Sequence, residues 1–591
     1  MVMQSWQDFR PAGKKILTMI IWDFLMRHWP LYGLGITLLI ITDLLSILIP
    51  RTVGRAIDII GGNGDVTDSL WFLAGIAAAM AVLRFFYREC IMGTTRRLEY
   101  FLRNQIFRHA LYLPMSIYDE AGPGKIMALA VNDVTSVRVA VGLGIMLLVD
   151  AGIMGAVSFT MMFRSIDPTL TIVSVLPLPL VFIAAAVLGR AVHERFRRVQ
   201  EKFSALTEFA QELFGGVKVV KAFGVEDILT ARFADVNRDN MTANLALAKI
   251  QSVYIPITHV APLACYALAL GFGGRLIIEN RISVGDLAAF TGYLGLIIWP
   301  VMGLGYLINI VQRGKASWVR IRDFLAILPY EDAQQTSETG SRCDLSGEIE
   351  LRDLTFQYPS ASVPSLQGLN LRIPAGSTIG IVGRTGSGKT TLLRLLLRLY
   401  PVPDGKILIG GADVNRLDFV GLRSAIGYVP QDAALFSATI AENISFGQPY
   451  EREEVLEAAR LAVVREDIDA RAEGFASRLG EKGTRLSGGQ RQRVAVARAL
   501  IRRPDLLLLD DVFSALDYRT QTELVENLRE VEAGRTTLIV SQRIAAVKHA
   551  RFILVMDGGR IAETGTHDEL IAAGGLYYRL YEQQLAAGEL S

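Results

Sequence analysis

Six apolar stretches occupy the first 315 positions of the chain, and nothing comparable follows Arg313. They centre on residues 31–50, 70–89, 139–163, 168–189, 253–278 and 286–311. Each matches the roughly 20 mostly apolar helical residues that a bilayer core about 30 Å thick requires. A hydrophobic content of 51% and a mean hydropathy of +0.33 are too high for an ordinary pair of soluble domains among 591 residues. The first half is therefore expected to lie in a lipid bilayer, and an even number of spans puts both chain ends on one side of it.

Basic residues give the orientation. Nine of them fall between Arg190 and Arg238 in the segment 190–250, whereas the link between the third and fourth spans offers only Arg164 beside Asp167. The long segments thus face the cytoplasm, with both termini there, in a multi-pass protein of the cytoplasmic membrane. Segments 90–138 and 190–250 are mixed in charge and low in proline, as expected of helices that continue past the membrane. Each is interrupted by a glycine-containing patch, "YDEAGPGK" and "KAFGVED", where a short transverse helix can form and contact whatever lies below. The N-terminus is basic and amphipathic without an uninterrupted apolar core or a small-residue cleavage site. It does not read as a secretory signal, and an interfacial helix at about 14–28 fits it better.

The expected layout is a transmembrane domain at 1–328, a polar, turn-rich linker at 329–347 and a soluble α/β domain at 348–591, where strand-like and helical segments alternate. With 61 basic and 59 acidic residues, a net charge of +2 gives no argument for nucleic acid. Cys90, Cys265 and Cys343 show no metal or redox spacing and are expected as free thiols.

The second half carries the chemistry. "TIGIVGRTGSGKTTLLRLLLRLY" is a β-branched strand, a glycine turn and a strong helix, and Gly383, Gly388, Lys389 and Thr390 satisfy the phosphate-loop pattern. In such a loop Gly383, Arg384, Thr385, Gly386, Ser387 and Gly388 offer backbone N–H groups to phosphate oxygens. Lys389 reaches the outer phosphates, Thr390 ligates Mg²⁺, and Thr391 continues the helix whose N-terminus faces the anion. A second apolar strand, "LLLLDD", ends in Asp510 beside Asp511. Two adjacent carboxylates repel unless a cation lies near, and a P-loop ATPase holds Mg²⁺ on such an aspartate. Between these motifs, "RLSGGQRQRVAVARAL" pairs Ser487 with Gln490 as a capping box, with Gly488 and Gly489 leaving the helix N–H groups uncovered. A bare helix N-terminus is itself an anion site. A second one in a domain with its own P-loop suggests a nucleotide held by another copy of the fold.

These residues resemble the nucleotide-binding domain of the ATP-binding cassette (ABC) family, and six spans followed by one cassette is the layout of its half-exporters of the multidrug-export type. The resemblance implies an all-α six-helix transmembrane domain of the type I exporter kind, followed by an α/β P-loop nucleotide-binding domain that uses ATP and Mg²⁺. It also implies roles for further positions. Tyr358 in "FQYP" would stack on adenine, Gln431 in "YVPQD" would touch Mg²⁺, Asp517 in "SALD" would cross to a partner cassette, and Glu481 in "RLGEKG" would sense the transverse helices.

Two positions depart from the family pattern. Asp511 stands where the family has a glutamate that acts on the attacking water, and Gln542 stands where it has a histidine on the γ-phosphate. One lost methylene withdraws the carboxylate by over an ångström, and misplacement of about 1 Å costs on the order of 100-fold in rate. An amide donates a hydrogen bond but carries no charge and moves no proton. The expectation is a site that binds ATP and cleaves it slowly. Its intact signature would complete a competent site on a homologous partner subunit that retains the glutamate and the histidine.

Ionisable residues inside the spans, Asp43, Arg84 and Asp150, point to a transport path for small amphipathic compounds, since charge in lipid is costly. An intramembrane ion pair or snorkelling explains Arg84 equally well. In the sixth span Tyr293, Trp299, Met302 and Tyr306 can bind substrate or serve as an aromatic belt. The leading expectation is an ATP-driven exporter of lipophilic compounds. An ATP-gated channel, a regulatory membrane subunit and a homodimeric lipid flippase are the alternatives.

Overall fold

The computed structural model describes residues 14–327, 342–359, 361–480, 483, 485–532 and 534–586. The chain divides into two compact units: residues 1–108 with 127–326, and residues 109–126 with 327–591.

The first unit is helical. Helices α1 (Lys14–Gly61) and α2 (Thr67–Leu111) lead to α3 (Met115–Ala128), which kinks at Gly122 and whose residues 115–126 belong to the second unit. A π-helical turn, Leu129–Asp133, then joins α3 to α4 (Val134–Ser165). Next come α5 (Pro168–Val175), α6 (Leu178–Gly215), α7 (Val217–Phe223), α8 (Glu226–Ile278) and α9 (Val284–Leu325). All six apolar stretches fall on helices. By length and composition, three described helical runs suffice to cross a membrane: Asp23–Gly61, Thr67–Leu111 and Gly122–Ser165. Shorter apolar runs occur at Pro262–Ile278 and Val284–Ile298.

Three local outcomes differ from the sequence expectation. The helix expected at 14–28 is not a separate element, because α1 runs on through Pro30; a proline inside a helix removes one backbone donor, and the flanking turns carry the helix across it. The fourth stretch, expected as one span at 168–189, breaks between α5 and α6 at Leu176 and Pro177, where Pro177 and Pro179 each lack an N–H and crowd the preceding turn. Of the linker expected at 329–347, residues 329–341 lie outside the described residues, and the remainder alternates exposed positions such as Asp344 and Ser346 with an anchored Leu345. Leu345 is 1% exposed, and Arg342 Nη2 donates to Asp505 Oδ1 at 2.7 Å.

Close approach holds α1 to α9. A Cβ on Gly285 would lie 2.0 Å from the Gly54 carbonyl, so only glycine lets the backbones meet there. Asp58 fastens the same point, accepting from Ser283 Oγ at 2.6 Å and from the Gly285 N–H at 2.7 Å. Charged clamps tie other helices. Glu99 on α2 is nearly buried and meets Arg96, Arg103 and Arg138 at 3.2, 2.7 and 3.1 Å. Asp133, in the π turn, takes a two-pronged grip from Arg320 of α9.

The second unit is α/β. Strands β1 (Ile349–Phe356), β2 (Leu366–Ile373), β4 (Ile407–Ile409) and β5 (Ala412–Asp413) form an antiparallel sheet in the order β2-β1-β4-β5. A six-stranded sheet takes β3 (Thr378–Gly383), β6 (Ile426–Val429), β7 (Leu506–Asp510), β8 (Thr536–Val540), β9 (Phe552–Asp557) and β10 (Arg560–Gly565). Its order is β10-β9-β3-β8-β7-β6, parallel from β9 to β6, with β10 antiparallel at the edge. β7 and β8 are buried along their whole length, as a sheet covered on both faces demands. Helices α10 (Lys389–Leu396), α15 (Gly488–Leu500), α16 (Tyr518–Glu532), α17 (His567–Ala573) and α18 (Leu576–Ala586) are those that bear on the site, with α11 (Phe419–Ala425), α12 (Ile440–Ser445), α13 (Arg452–Leu461) and α14 (Arg465–Asp469) between β5 and α15. Segment 109–126 belongs to this unit, where the Asp119 carboxylate accepts from the Tyr400 hydroxyl.

Candidate functional site

The carboxyl ends of parallel strands are where open α/β sheets gather ligand groups, and β3, β7 and β8 end together here. After β3 the chain turns through Gly383, Gly386 and Gly388 at φ of 152°, 82° and 99°. Gly383 has no room for a side chain, since a Cβ would meet the Met556 carbonyl at 2.2 Å. Successive N–H groups in such a turn form an anion nest. Lys389 is 7% exposed, and its ammonium folds back onto the carbonyls of Gly383 and Arg384, both at 2.8 Å, with Ser387 Oγ at 3.3 Å. Burial holds the Lys389 ammonium below its ordinary pKa.

Thr390 Oγ1 donates to Asp510 Oδ1 at 3.0 Å, joining residues 120 positions apart. Asp510 and Asp511 are 1% and 6% exposed, and burial pushes both carboxyls above the usual range. Each gains from any positive charge brought between them and Thr390. A hydroxyl and a buried carboxylate beside an anion nest suit a hard, oxygen-seeking cation, so the residues present fit Mg²⁺ carried by a phosphate ligand. Gln431 follows β6 and is exposed; β6 pairs with β7 through Val429 and Leu509, which puts Gln431 beside the Asp510–Asp511 end.

Asp511 is bonded differently. It adopts a left-handed backbone at φ 51° and donates its N–H to the Val540 carbonyl at 2.8 Å. Its Oδ1 accepts the backbone N–H of Gln542 at 3.4 Å. The Gln542 side chain is exposed, while its carbonyl accepts from Gln584 Nε2 at 2.5 Å. Gln584 Oε1 in turn accepts from the Ile544 N–H at 2.9 Å, so one amide on α18 grips the loop on both sides. Arg543 extends the hold by donating to the carbonyls of Leu516 and Ser514 and to Gln521 Oε1.

Tyr358 is half-buried, its ring edge-on to Phe356 and Tyr400 at 5.0 and 4.9 Å, and its hydroxyl donates to Thr391 Oγ1 at 3.1 Å. The signature forms the expected capping box. Ser487 Oγ accepts from the Gln490 N–H at 3.2 Å, and Gln490 Oε1 accepts from the Ser487 N–H at 3.1 Å. Ser487 and Gly488 are exposed at the start of α15, while Gly489 packs against the Ala515 carbonyl. Asp517 caps α16, accepting from the Thr520 N–H at 3.0 Å, and this bond holds its carboxyl below the usual range. Glu481 lies outside the described residues.

Several participants carry no sequence signal of their own. Tyr428 faces Asp510, and burial together with that carboxylate pushes its phenol up to about 12; its place three residues before Gln431 was the only hint. Gln492 fixes the loop before Gln431 by donating to the Pro430 carbonyl at 3.1 Å. Gln584, 42 residues beyond Gln542, could not be found from spacing.

In the first unit, Asp43 is buried, Asp150 half-buried and Arg84 exposed. Tyr293, expected on a substrate surface, is 1% exposed and packs with Ile47, Phe290, Leu294 and Ile297. It is core here, because Gly292 lets α9 lie against Pro50 and closes the helices over the ring. Tyr306 is 52% exposed. The side chains of Trp299 and Met302 lie outside the described residues.

Residues 32–301 match the ABC transporter transmembrane region, and residues 366–514 match the ABC transporter family. The chain is 37% identical over 566 residues to the probable multidrug resistance ABC transporter ATP-binding/permease protein YheI of Bacillus subtilis, covering 95% of this chain and 96% of that protein. It is 36% identical over 580 residues to the multidrug resistance-like ATP-binding protein MdlA of Escherichia coli, covering 97% of each. A solved bacterial Atm1-family ABC exporter with ATP bound has the same fold, with a TM-score of 0.75 at 24% identity over 95% of this chain and 99% of that one. The chain belongs to the ABC transporter family, as a multi-pass membrane exporter whose ATP-binding domain makes it a transport ATPase.

Proposed function

We propose that this chain exports amphipathic or lipophilic compounds, drugs or lipids, out of the cytoplasm as one half of a heterodimer, with both termini cytoplasmic and its own ATP site weak in hydrolysis. The observation that carries the reading is the Asp511 carboxylate turned to the Gln542 N–H beside an intact Thr390–Asp510 pair. The names of the relatives, multidrug resistance proteins, support the substrate class.

The residues divide the work. The N–H groups of the 383–388 turn and the Lys389 ammonium would hold the phosphates, and Tyr358 would offer its ring to the base. Thr390, Asp510 and Gln431 would hold Mg²⁺, which when bound neutralises phosphate charge. Asp511 would have to place water, but its carboxylate is a methylene short and engaged with backbone. Gln542 offers an amide without a transferable charge. The chain's own Ser487–Gln490 terminus stands open for a nucleotide on a partner's P-loop, where a glutamate and a histidine would complete the hydrolytic set.

Co-purification from native membranes, followed by mass identification, tests the assembly. The expected result is a second, homologous half-transporter. In the purified pair Asp511→Asn keeps most of the ATPase activity, whereas removal of the partner's glutamate abolishes it. Recovery of this chain alone as an active dimer, or loss of turnover in Asp511→Asn, would favour a homodimeric flippase. Downhill ion current without uphill transport would favour a channel.

A further inference from the structure

Helices α6 and α8 run antiparallel past the ends of their apolar stretches, and two contacts fix their register there. Lys202 Nζ meets Asp239 Oδ2 at 2.6 Å, and further from the stretches the Phe209 and Phe233 rings stack with centroids 6.4 Å apart. Carried back toward the stretches, the same register sets Arg195 across from Ala246. A cleft of about 450 Å³ opens at this level, lined by Arg195, Thr242, Leu245, Ala246, Lys249 and Ile250. Its size is that of a small-ligand site, about 300–1,000 Å³.

The positive charge of the cleft is not compensated. Arg198 takes Glu194 and Arg197 takes Glu201, both at 2.9 Å, while Lys202 takes Asp239 and Arg238 takes Asp235 at 3.5 Å. No other carboxylate occurs at 190–202 or 235–252, so Arg195 and Lys249 are left without an acid among the described residues. Both are exposed. Thr242 gives its hydroxyl proton to the Asp239 carbonyl at 2.9 Å, which leaves the guanidinium and the ammonium as the side-chain donors of the cleft.

Depth selects the ligand. Arg195 lies six residues beyond residue 189, where the fourth apolar stretch ends, and Lys249 lies four residues before 253, where the fifth begins. At 1.5 Å per residue these are about 9 and 6 Å, close to the about 5–8 Å of one headgroup layer, and long basic side chains reach back toward it. Leu245, Ala246 and Ile250 add an apolar wall that a free inorganic anion does not use. Unpaired cations favour a headgroup of net negative charge over a zwitterionic one, whose own ammonium they repel.

We propose that the cleft between α6 and α8 binds the headgroup of one anionic phospholipid, its phosphate held by Arg195 and Lys249 and its glycerol end against Leu245, Ala246 and Ile250. The lipid is a resident ligand of the protein surface and not cargo. Placing it in the cytoplasmic leaflet rests on the orientation proposed above, whereas the cleft itself needs neither ATP nor transport.

The test titrates the full-length protein, alone and as the pair purified from membranes, in neutral detergent with acyl-labelled phosphatidylglycerol, and in parallel with acyl-labelled phosphatidylcholine. Saturable binding of about one phosphatidylglycerol per chain is expected, at least about tenfold tighter than phosphatidylcholine and weakening with salt. Arg195→Gln and Lys249→Gln should each cost about fivefold and together about 30-fold, the scale of one cation each at an anionic surface. Lys218→Gln, which removes an exposed base of the same segment outside the cleft, should cost nothing. Nucleotide binding, which reports the fold, should be unchanged in all of these variants.

Equal affinity for the two lipids, or an equal loss in Lys218→Gln, reduces the effect to a diffuse field and overturns the proposal. Displacement by inorganic phosphate as effective as by unlabelled phosphatidylglycerol assigns the cleft to a small anion and overturns it too. Binding to the single chain that vanishes in the pair assigns this face to the partner subunit, with the same consequence. If the double variant does not fold, the headgroup preference of the unaltered protein decides. Detergent binding is blind to sidedness, so the orientation is read separately: protease should cut the 190–250 segment in inside-out vesicles and spare it in right-side-out ones.

Discussion

Asp510 and Asp511 are neighbours, both buried, and bonded in opposite directions. Asp510 ends β7 in register with Val540 and turns its carboxylate to the Thr390 hydroxyl, so its strand and the P-loop helix meet on a side chain. Asp511 leaves the strand with a left-handed backbone and gives its carboxylate to a backbone N–H of the loop after β8. The phosphate side is thus joined through side chains, Lys389 onto its own turn and Thr390 onto Asp510, whereas on the switch side the Asp511 carboxylate is given to loop backbone. Within one site the groups for holding a nucleotide and the groups for cutting it are mechanically separate.

The largest expected effect lies on the phosphate side. Lys389→Ala removes the one ammonium of the turn, and charged hydrogen bonds to two phosphate groups are worth together about 3 kcal/mol, or on the order of 100-fold in affinity. Fluorescent-nucleotide titration of the purified chain should show that loss. Near-normal affinity in Lys389→Ala would mean that the backbone nest alone holds the phosphates and would dissolve the contrast between the two sides.

Next comes repair of the switch side. Asp511→Glu with Gln542→His should raise turnover at this chain's site by up to about 100-fold, the scale associated with an ångström of misplacement. Nucleotide affinity should stay level. A left-handed backbone suits aspartate better than glutamate, so the repaired protein should also melt slightly lower. Unchanged turnover in a protein that still binds ATP would show that the Gln584 and Arg543 contacts, not the two side chains, restrain hydrolysis.

How much of this could be seen without coordinates follows from the range of each contact. The glycine turn, the Ser487–Gln490 box and the burial of "LLLLD" are local patterns, and they appear where the sequence puts them. The Thr390–Asp510 contact spans 120 residues but joins two motifs that each announce themselves. The Gln584 grip does not, because an amide bonding backbone groups 40 residues away needs no partner of particular type. The same holds for Tyr293. Its aromatic ring in an apolar span is compatible with surface or core, and only the approach of α9 to Pro50, permitted by Gly292, decides for core. The break at Leu176 and Pro177 is a middle case, since the prolines were visible while the apolar run around them hid the interruption.

The smallest expected effect tests what keeps the switch side closed. Gln584 holds the loop through the Gln542 carbonyl and the Ile544 N–H, and neither contact touches a side chain of the nucleotide site. Gln584→Ala removes two neutral hydrogen bonds, each worth about 0.5–1.5 kcal/mol net. The loop should then open more readily while the phosphate side stays intact. Hydrogen exchange should accelerate by about tenfold at Gln542–Ile544, a change of about 1.4 kcal/mol, with little change at Lys389–Thr391. Gln584→Glu keeps the acceptor for Ile544 and loses the donor to Gln542, so it should fall between the two. Equal acceleration at both sides in Gln584→Ala would mean that the loop and the P-loop open as one unit. Binding and hydrolysis would then be coupled through the sheet, contrary to the separation that Asp510 and Asp511 suggest.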